Sequence, residues 1–320
     1  MTSQLPATCW VIHDGAAGNR RQARALAEAL ELPIREWSLR AHGLAKLLAP
    51  RNFPGAATAF GDEFANTLRH APPALAIGCG RIAALATRQA RAAGVPSVQI
   101  LDPRIRTSHW DVVIAPEHDG LSGANVITMV GSLNSVDVAW LGRAREQFPA
   151  LGALARPRTA VLLGGPTRAT RFDRSALEAL LGTLDVWLAR DGGSALICGS
   201  PRSPAEWAGL VRDRYRGEGH LVWMDQRDGD NPYPGVLAWA DRIIVSPDSA
   251  NMISEACATA APVFVAAPDR ATGRIRSFIQ SLQNRGRVRA LGRDCAPFDA
   301  VPLDETRRIA ALVRERLSLR

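Results

Sequence analysis

Lysine is all but missing from this chain: of its 39 basic residues, only Lys46 is not an arginine. Tyrosine occurs twice and aromatics make up 6% of the residues, with no aromatic stripe interleaved among basic side chains, so a stacking platform for single-stranded nucleic acid is excluded. None of the five cysteines (Cys9, Cys79, Cys198, Cys257, Cys295) is paired at CxxC spacing. Their odd number and apolar surroundings predict reduced, mostly buried thiols, as in a cytosolic protein, and give no support to a zinc site. No apolar stretch reaches the ~18 residues of a membrane span, and the start, MTSQLPATCWVIHDG, lacks the basic-then-apolar order of a signal peptide. The expected location is cytoplasmic, with any membrane contact peripheral to the inner membrane. GxSxG, HExxH, the kinase set, the deaminase HxE…PCxxC and EF-hand spacing are all absent, so no metal and no tightly held cofactor is expected.

What is present reads as a soluble globular chain. Its 320 residues, 47% hydrophobic and 22% charged, suit two domains. The net charge of +8 is uneven. Basic and acidic side chains number 15 and 12 in residues 1–150, 12 and 13 in 151–259, and 12 and 6 in 260–320. The excess at the C-terminal end suits phosphate groups or an anionic membrane surface; a solvated helical face is the alternative.

Short apolar runs alternate with amphipathic segments, the pattern of parallel strands joined by helices. Strands are expected at Cys9–His13, Pro33–Trp37, Leu75–Gly78, Ser97–Leu101, Val112–Ala115 and Val126–Met129, then at Thr159–Leu163, Ser194–Cys198, Leu221–Trp223, Ile243–Ser246 and Val263–Ala266. Helices are expected at Arg20–Leu30, Ile82–Ala93, Arg174–Ala189, Pro204–Tyr215, Ala250–Thr259, Arg274–Asn284 and Asp304–Leu317. The segment PALGALARPRT, weak in periodicity, is read as a linker. The expected fold is α/β, with two Rossmann-like domains whose parallel sheets face across a cleft: an acceptor-side domain over 1–152, a nucleotide-sugar domain over 153–302, and a C-terminal helix over 303–320 that crosses back.

Ligands of open α/β sheets sit beyond the carboxyl ends of the strands, so the turns there are the places to look for chemistry. Asp14-Gly15-Ala16-Ala17-Gly18-Asn19 joins a strand to a helix without matching GxGxxG or a Walker loop. Gly164-Gly165-Pro166-Thr167-Arg168, with Arg171 beyond, could hold a diphosphate, and Gly199-Ser200-Pro201-Arg202 is a similar turn. Plain structural turns are the alternative for all three. Ser246-Pro247-Asp248-Ser249-Ala250-Asn251 is the strongest signal. Ser249 or Asp248 can cap the next helix, and Glu255, about a turn inside, suits a pair of ribose hydroxyls; an N-cap with a surface glutamate is the alternative. Asn231 and Tyr233, in a polar loop, could frame a base. Glu117-His118-Asp119 closes a strand and offers a general base or a solvated loop, whereas His13 reads as structural. Leu39–Pro50 is amphipathic and basic, and suits either an anionic membrane surface or a buried helix face.

The strings DGAAGNRRQARALAEAL, GCGRIAAL, VIAPEHDGLSGANVI, LLGGPTR and NPYPGVLAWADRIIVSPDSANMISEACATAAPVFV resemble the bacterial branch of the ELM mitochondrial-fission family over nearly the whole chain. Bacterial members are described as glycosyltransferases of lipopolysaccharide or outer-core type. The C-terminal half also looks like the donor domain of GT-B enzymes such as the peptidoglycan lipid-intermediate N-acetylglucosaminyltransferase. That likeness implies Ser249 and Asn251 near a diphosphate, Glu255 on ribose, Gly164 and Gly165 lining the site, and Gly15, Gly18 and Asn19 facing an acceptor. That enzyme carries a histidine in its first glycine turn where this chain ends in Asn19. The catalytic base is therefore sought among His118, Asp14 and Glu117.

The leading expectation is a metal-independent glycosyltransferase acting on a nucleotide-sugar donor and an envelope glycan or lipid-linked acceptor. Two alternatives stand beside it: a catalytically silent GT-B scaffold acting as a membrane-associated interaction protein, and a nucleotide-sugar epimerase or phosphorylase-like enzyme.

Overall fold

The computed structural model describes residues 8–217, 219–294 and 296–319. Cys295 and the first residues of the N-terminal string lie outside them. The chain forms two compact units, one running to Ser135 and resuming at Asp304, the other spanning Val136–Leu303.

The first unit holds six parallel strands: β1 (Cys9–His13), β2 (Ile34–Ser38), β3 (Leu75–Cys79), β4 (Ser97–Ile100), β5 (Val112–Pro116) and β6 (Val126–Met129). Their order is β2-β1-β3-β4-β5-β6. β1, β3, β4 and β5 are buried along their whole length, as expected of strands covered on both faces. Helices α1 (Ala17–Ala29), α2 (Gly43–Leu48), α3 (Asp62–His70) and α4 (Arg81–Ala92) and the C-terminal helix (Glu305–Leu317) surround the sheet. Leu26 and Ala27 of α1 and Ile309 and Val313 of the C-terminal helix close one face over Val11, Ile77 and Val98. The other face is an aromatic cluster. Trp10, Trp37 and Phe64 lie with ring centroids 5.1, 5.4 and 5.2 Å apart, each pair worth about 1 kcal/mol beyond area burial.

The second unit repeats the plan with β7 (Arg158–Leu162), β8 (Ser194–Cys198), β9 (Leu221–Trp223), β10 (Arg242–Val245), β11 (Val263–Val265) and β12 (Val288–Ala290). All are parallel, in the order β12-β11-β10-β7-β8-β9. Its helices are α5 (Val138–Gln147), α6 (Pro149–Gly152), α7 (Arg174–Asp191), α8 (Ala205–Arg214), α9 (Tyr233–Trp239), α10 (Ala250–Cys257) and α11 (Gly273–Asn284). In both sheets the chain first builds outward one way and then reverses. The reversal falls between β1 and β3 in the first unit and between β7 and β10 in the second.

Several elements differ from expectation. The units divide at Ser135/Val136, ahead of the boundary expected at 152/153, because the segment read as a linker is bonded into the second unit. Leu151 is buried, Trp239 Nε1 donates to Phe148 O at 2.9 Å, and Arg158 Nη1 reaches Gly152 O at 3.1 Å. Gly152 is forced by contact, since a Cβ there would lie 2.7 Å from the Trp239 ring. Helix α9 takes over the end, from Tyr233 on, of the polar loop expected over Asp225–Gly235. Its prolines sit at the start, where a missing N–H costs nothing, and Gly235 lets Phe148 approach to where a Cβ would be 2.6 Å away. Helix α1 begins at Ala17, so Gly18 and Asn19 belong to its first turn and not to the preceding loop. α3, α5 and β12 were not anticipated.

One buried cation holds the second sheet at the end away from the turns. Arg242, 3% exposed, donates to Thr159 Oγ1 at 2.7 Å and Asp191 Oδ2 at 2.5 Å and lies over Trp187. Hydrogen bonds from Arg190, then from Arg242, hold the Asp191 carboxyl well below its ordinary range, against the cost of desolvation. A depressed carboxylate contributes fully above its unfolded value of ~4 and loses that contribution as pH falls through its folded value. Asp191→Asn is expected to cost about 2–3 kcal/mol at neutral pH, because it strands a buried guanidinium. The loss should shrink progressively below pH ~4, as wild type also protonates. Urea unfolding of both proteins across that range checks it; equal stabilities at pH 7 would refute it.

Candidate functional site

Open α/β sheets bind ligands where the strand order reverses. In the second unit that point lies between the ends of β7 and β10, from which Gly164-Gly165 and Ser246-Pro247-Asp248-Ser249 emerge. One carboxylate ties these turns together. Asp248, whose side chain is fully buried, accepts from Gly165 N at 3.1 Å, Ser246 Oγ at 2.6 Å and Arg202 Nη2 at 2.8 Å. Ser246 Oγ in turn accepts from Gly164 N at 2.8 Å. Burying a carboxylate is tolerable only with donors of this kind. Both glycines are required sterically: a Cβ on Gly164 would stand 2.0 Å from Asp248 Oδ2, and one on Gly165 would stand 1.9 Å from Arg202 O.

The third turn, after β8, is locked to the first by Ser203, which the sequence reading passed over. Its Oγ accepts from Ser200 N at 2.9 Å and lies 2.8 Å from Gly164 O. Ser200 is half-buried and Arg202 exposed, so Asp248 anchors the Arg202 guanidinium while the side chain still meets solvent.

Helix α10 leaves the β10 turn. Ser249 is its N-cap, accepting from Met252 N at 3.4 Å, and Asn251 is half-buried in its first turn. Glu255 is 6% exposed, so the surface-glutamate alternative does not hold. Tyr233 Oη donates to Glu255 Oε2 at 2.5 Å. Asn231 Oδ1 accepts from Tyr233 N at 2.9 Å and receives the Cys198 thiol at 4.0 Å, which sets the start of α9 at the end of β8. The far end of α10 is clamped by buried Arg287, which donates to Cys257 O at 3.0 Å and Thr259 O at 2.8 Å, a cation at a helix C-terminus. Thr167 and Arg168 stand apart from this bonded set. Their turn is closed by paired backbone bonds of 3.1 Å between Thr167 and Thr170 and is pinned through Ala169 O to Thr272 at 2.8 Å, beside the start of α11.

In the first unit the reversal lies between β1 and β3. Asp14 Oδ1 accepts from Ala16 N at 3.1 Å and Asn19 Nδ2 at 3.0 Å, and Asn19 Oδ1 receives the Cys79 thiol at 3.6 Å. Gly80 lies against Asn19, with room for no Cβ. Gly15, at φ 88°, donates its N–H to His13 Nδ1 at 3.0 Å. The other ring nitrogen, Nε2, meets Glu36 Oε1 at 2.8 Å, so His13 carries its proton there. Glu36, also missed, is held below its ordinary range chiefly by Arg20, against desolvation and with help from His13. This network shapes the turn and engages both nitrogens of His13.

The candidate bases fall in two places. Asp14 follows β1, whereas Glu117 and His118 follow β5, three strand spacings or about 14 Å along the sheet. His118 is 13% exposed, with its Nε2 3.8 Å from Asp119 Oδ1; Glu117 is exposed. Burial pushes the Cys9, Cys198 and Cys257 thiols up to about 12, and Cys79 further, so none serves as a thiolate nucleophile. Among the described residues no three His, Cys, Asp or Glu side chains group as metal ligands. No helix among them is long and apolar enough to cross a membrane.

Two Rossmann-like units, each with a bonded turn cluster at its strand-order reversal, define the GT-B type of α/β fold. The profile described as "Mitochondrial fission ELM1" matches residues 17–317, and the chain belongs to that family. The mitochondrial fission protein ELM1 of Arabidopsis thaliana is 30% identical over 278 residues, which cover 78% of this chain; the chain spans 65% of that protein's length. Among solved structures, the UDP-GlcNAc 2-epimerase of Methanocaldococcus jannaschii aligns with a TM-score of 0.57 at 11% identity, covering 96% of this chain and all of that one. The UDP-GlcNAc 2-epimerase of Neisseria meningitidis, bound to UDP-GlcNAc, aligns with a TM-score of 0.51 at 10% identity over 98% and 100% of the two chains. At such identities the likeness is one of fold.

Proposed function

We propose that this protein is a glycosyltransferase that binds a nucleotide-sugar through its second unit and passes the sugar to a glycan or lipid-linked acceptor without a bound metal. The observation that carries the reading is the buried Glu255, hydrogen-bonded by Tyr233, on the helix that leaves the strand-order reversal. A carboxylate so placed accepts from ribose hydroxyls, while the first turn of α10, with Ser249 and Asn251, turns backbone N–H groups toward a diphosphate. The neighbour from Neisseria meningitidis carries a nucleotide-sugar on the same fold.

In the reaction, a base removes the proton of an acceptor hydroxyl. The hydroxyl oxygen bonds to the anomeric carbon, and the bond from that carbon to the diphosphate breaks. Arg202, Arg168 and the α10 N–H groups stabilise the charge on the departing diphosphate. Asn231 and Tyr233 frame the base of the nucleotide, and Gly164 and Gly165 keep the floor of the site clear of side chains. Gly15, Gly18 and Asn19 face the acceptor.

The test is calorimetric titration of UDP, GDP, CMP, ADP and their sugars into wild type, Glu255→Gln and Glu255→Ala. One nucleotide should saturate the wild type, with affinity at least tenfold lower in both variants, each of which stays folded. A folded wild type that binds no nucleotide would sink the proposal and leave a docking scaffold. Conversion of a bound nucleotide-sugar with no acceptor present would replace transfer by epimerisation.

A further inference from the structure

Two of the large apolar side chains exposed to solvent share one short helix. Leu44 is 61% and Leu47 74% exposed on α2. Three positions apart, they lie on one face, while Ala45 is buried beneath. Lys46 is exposed between them, and exposed Arg40 and Arg51 flank them. No aspartate or glutamate occurs from Leu39 to Gly61.

The patch is anchored. Arg81 Nη1 donates to Ala49 O at 2.8 Å and Leu47 O at 3.3 Å, and its Nη2 donates to Lys46 O at 2.5 Å. Arg88 Nη1 reaches Pro50 O at 3.2 Å. Two arginines of α4 thus close the C-terminal end of α2, and the helix is held with its leucines outward.

An occupant must match both features. Three cations in a stretch of chain that carries no acid call for an anionic partner. Leucine tips standing among them call for an apolar medium directly behind that charge. A lipid leaflet with anionic headgroups supplies both, because its charge lies at the surface and its acyl chains lie a few ångströms beneath. We infer that α2 and its flanking basic residues form a docking surface for an anionic lipid membrane.

The place of the surface adds to its meaning. Arg81 opens α4 directly after Gly80, the residue against which Asn19 packs. A membrane on α2 would therefore lie beside the start of α1, where Asn19 stands and where a lipid-linked acceptor would enter under the transfer reading. The docking itself does not depend on that reading.

Flotation of the full chain with vesicles tests it. Vesicles of phosphatidylcholine containing one-third phosphatidylglycerol should carry the protein up, and vesicles of phosphatidylcholine alone should not. Raising the salt until surface charges are screened should release it. Leu44→Asp with Leu47→Asp should lower binding at least tenfold, and Lys46→Ala about fivefold. A milder pair, Leu44→Ser with Leu47→Ser, serves where the acidic pair lowers the melting temperature. Nucleotide titration of these variants should match wild type, which separates this test from that of the donor site. Wild type that ignores the charged vesicles, or leucine variants that bind them unchanged, would overturn the inference and leave the patch to a protein partner.

Discussion

Asp248→Ala is expected to lower the unfolding free energy by about 3–4 kcal/mol and to abolish nucleotide binding, although the lost carboxylate need touch no ligand. The reason is arithmetic on what it leaves behind. Removing one partner of a buried charged cluster costs about 3–5 kcal/mol, because the remaining donors keep their desolvation cost without a partner. Here three donors converge on one side chain that no solvent reaches. The freed space offers no compensation, since Gly164 and Gly165 have no side chains to fill it. Gly164→Ala should act similarly from the other side, by driving a methyl group into the carboxylate. The coupling can be measured. Arg202→Ala alone should cost less, because Arg202 is half in solvent and can be replaced by water. The double variant Asp248→Ala, Arg202→Ala should then be more stable than the sum of the single changes predicts. Chemical denaturation of the four proteins decides it; additive losses would mean that Asp248 and Arg202 do not share a network.

This lock shows what could and could not be read in the amino-acid string. Strands buried on both faces are apolar runs bounded by turn residues, so Cys9–His13 and Ser194–Cys198 were legible to the residue, and the partly buried edge strands Val126–Met129 and Leu221–Trp223 were legible as short apolar runs between turn signals. The turns that follow them were legible by position alone. Their bonding was not. Asp248 and Gly165 are 83 positions apart, and nothing local to either says that they meet. His13 with Glu36, and Ser203 with Gly164, are of the same kind. Helix α9 was hidden for another reason. Asn-Pro-Tyr-Pro-Gly has the composition of a loop, and only packing against Phe148 makes its glycine suit a helix. Glu255 was placed correctly along α10, but its partner, Tyr233, arrives from another element.

His118→Ala is expected to reduce turnover about a hundred- to ten-thousandfold while leaving nucleotide affinity within about twofold. Three side chains compete for the role of base, and their surroundings differ. Asp14 is occupied in holding its own turn, since its Oδ1 takes both Ala16 N and Asn19 Nδ2. Glu117 is exposed, so it lacks the water-shielded setting that favours proton transfer to a side chain. His118 is the imidazole of the three, the side-chain class suited to proton transfer near neutrality. It is mostly shielded from water, and its Nε2 lies 3.8 Å from Asp119 Oδ1. Asp14→Asn and Glu117→Gln should keep turnover within about tenfold of wild type. The pH profile distinguishes a base from a mere prop: wild-type kcat/KM should fall on the acid side with a single ionisation, and the residual activity of His118→Ala should lack that limb. Should Asp14→Asn instead produce the large loss and erase the limb, the acceptor hydroxyl would be activated at the β1 turn, about 14 Å along the sheet from His118. The acceptor would then have to enter over Gly15 and Asn19, and not over the β5 end.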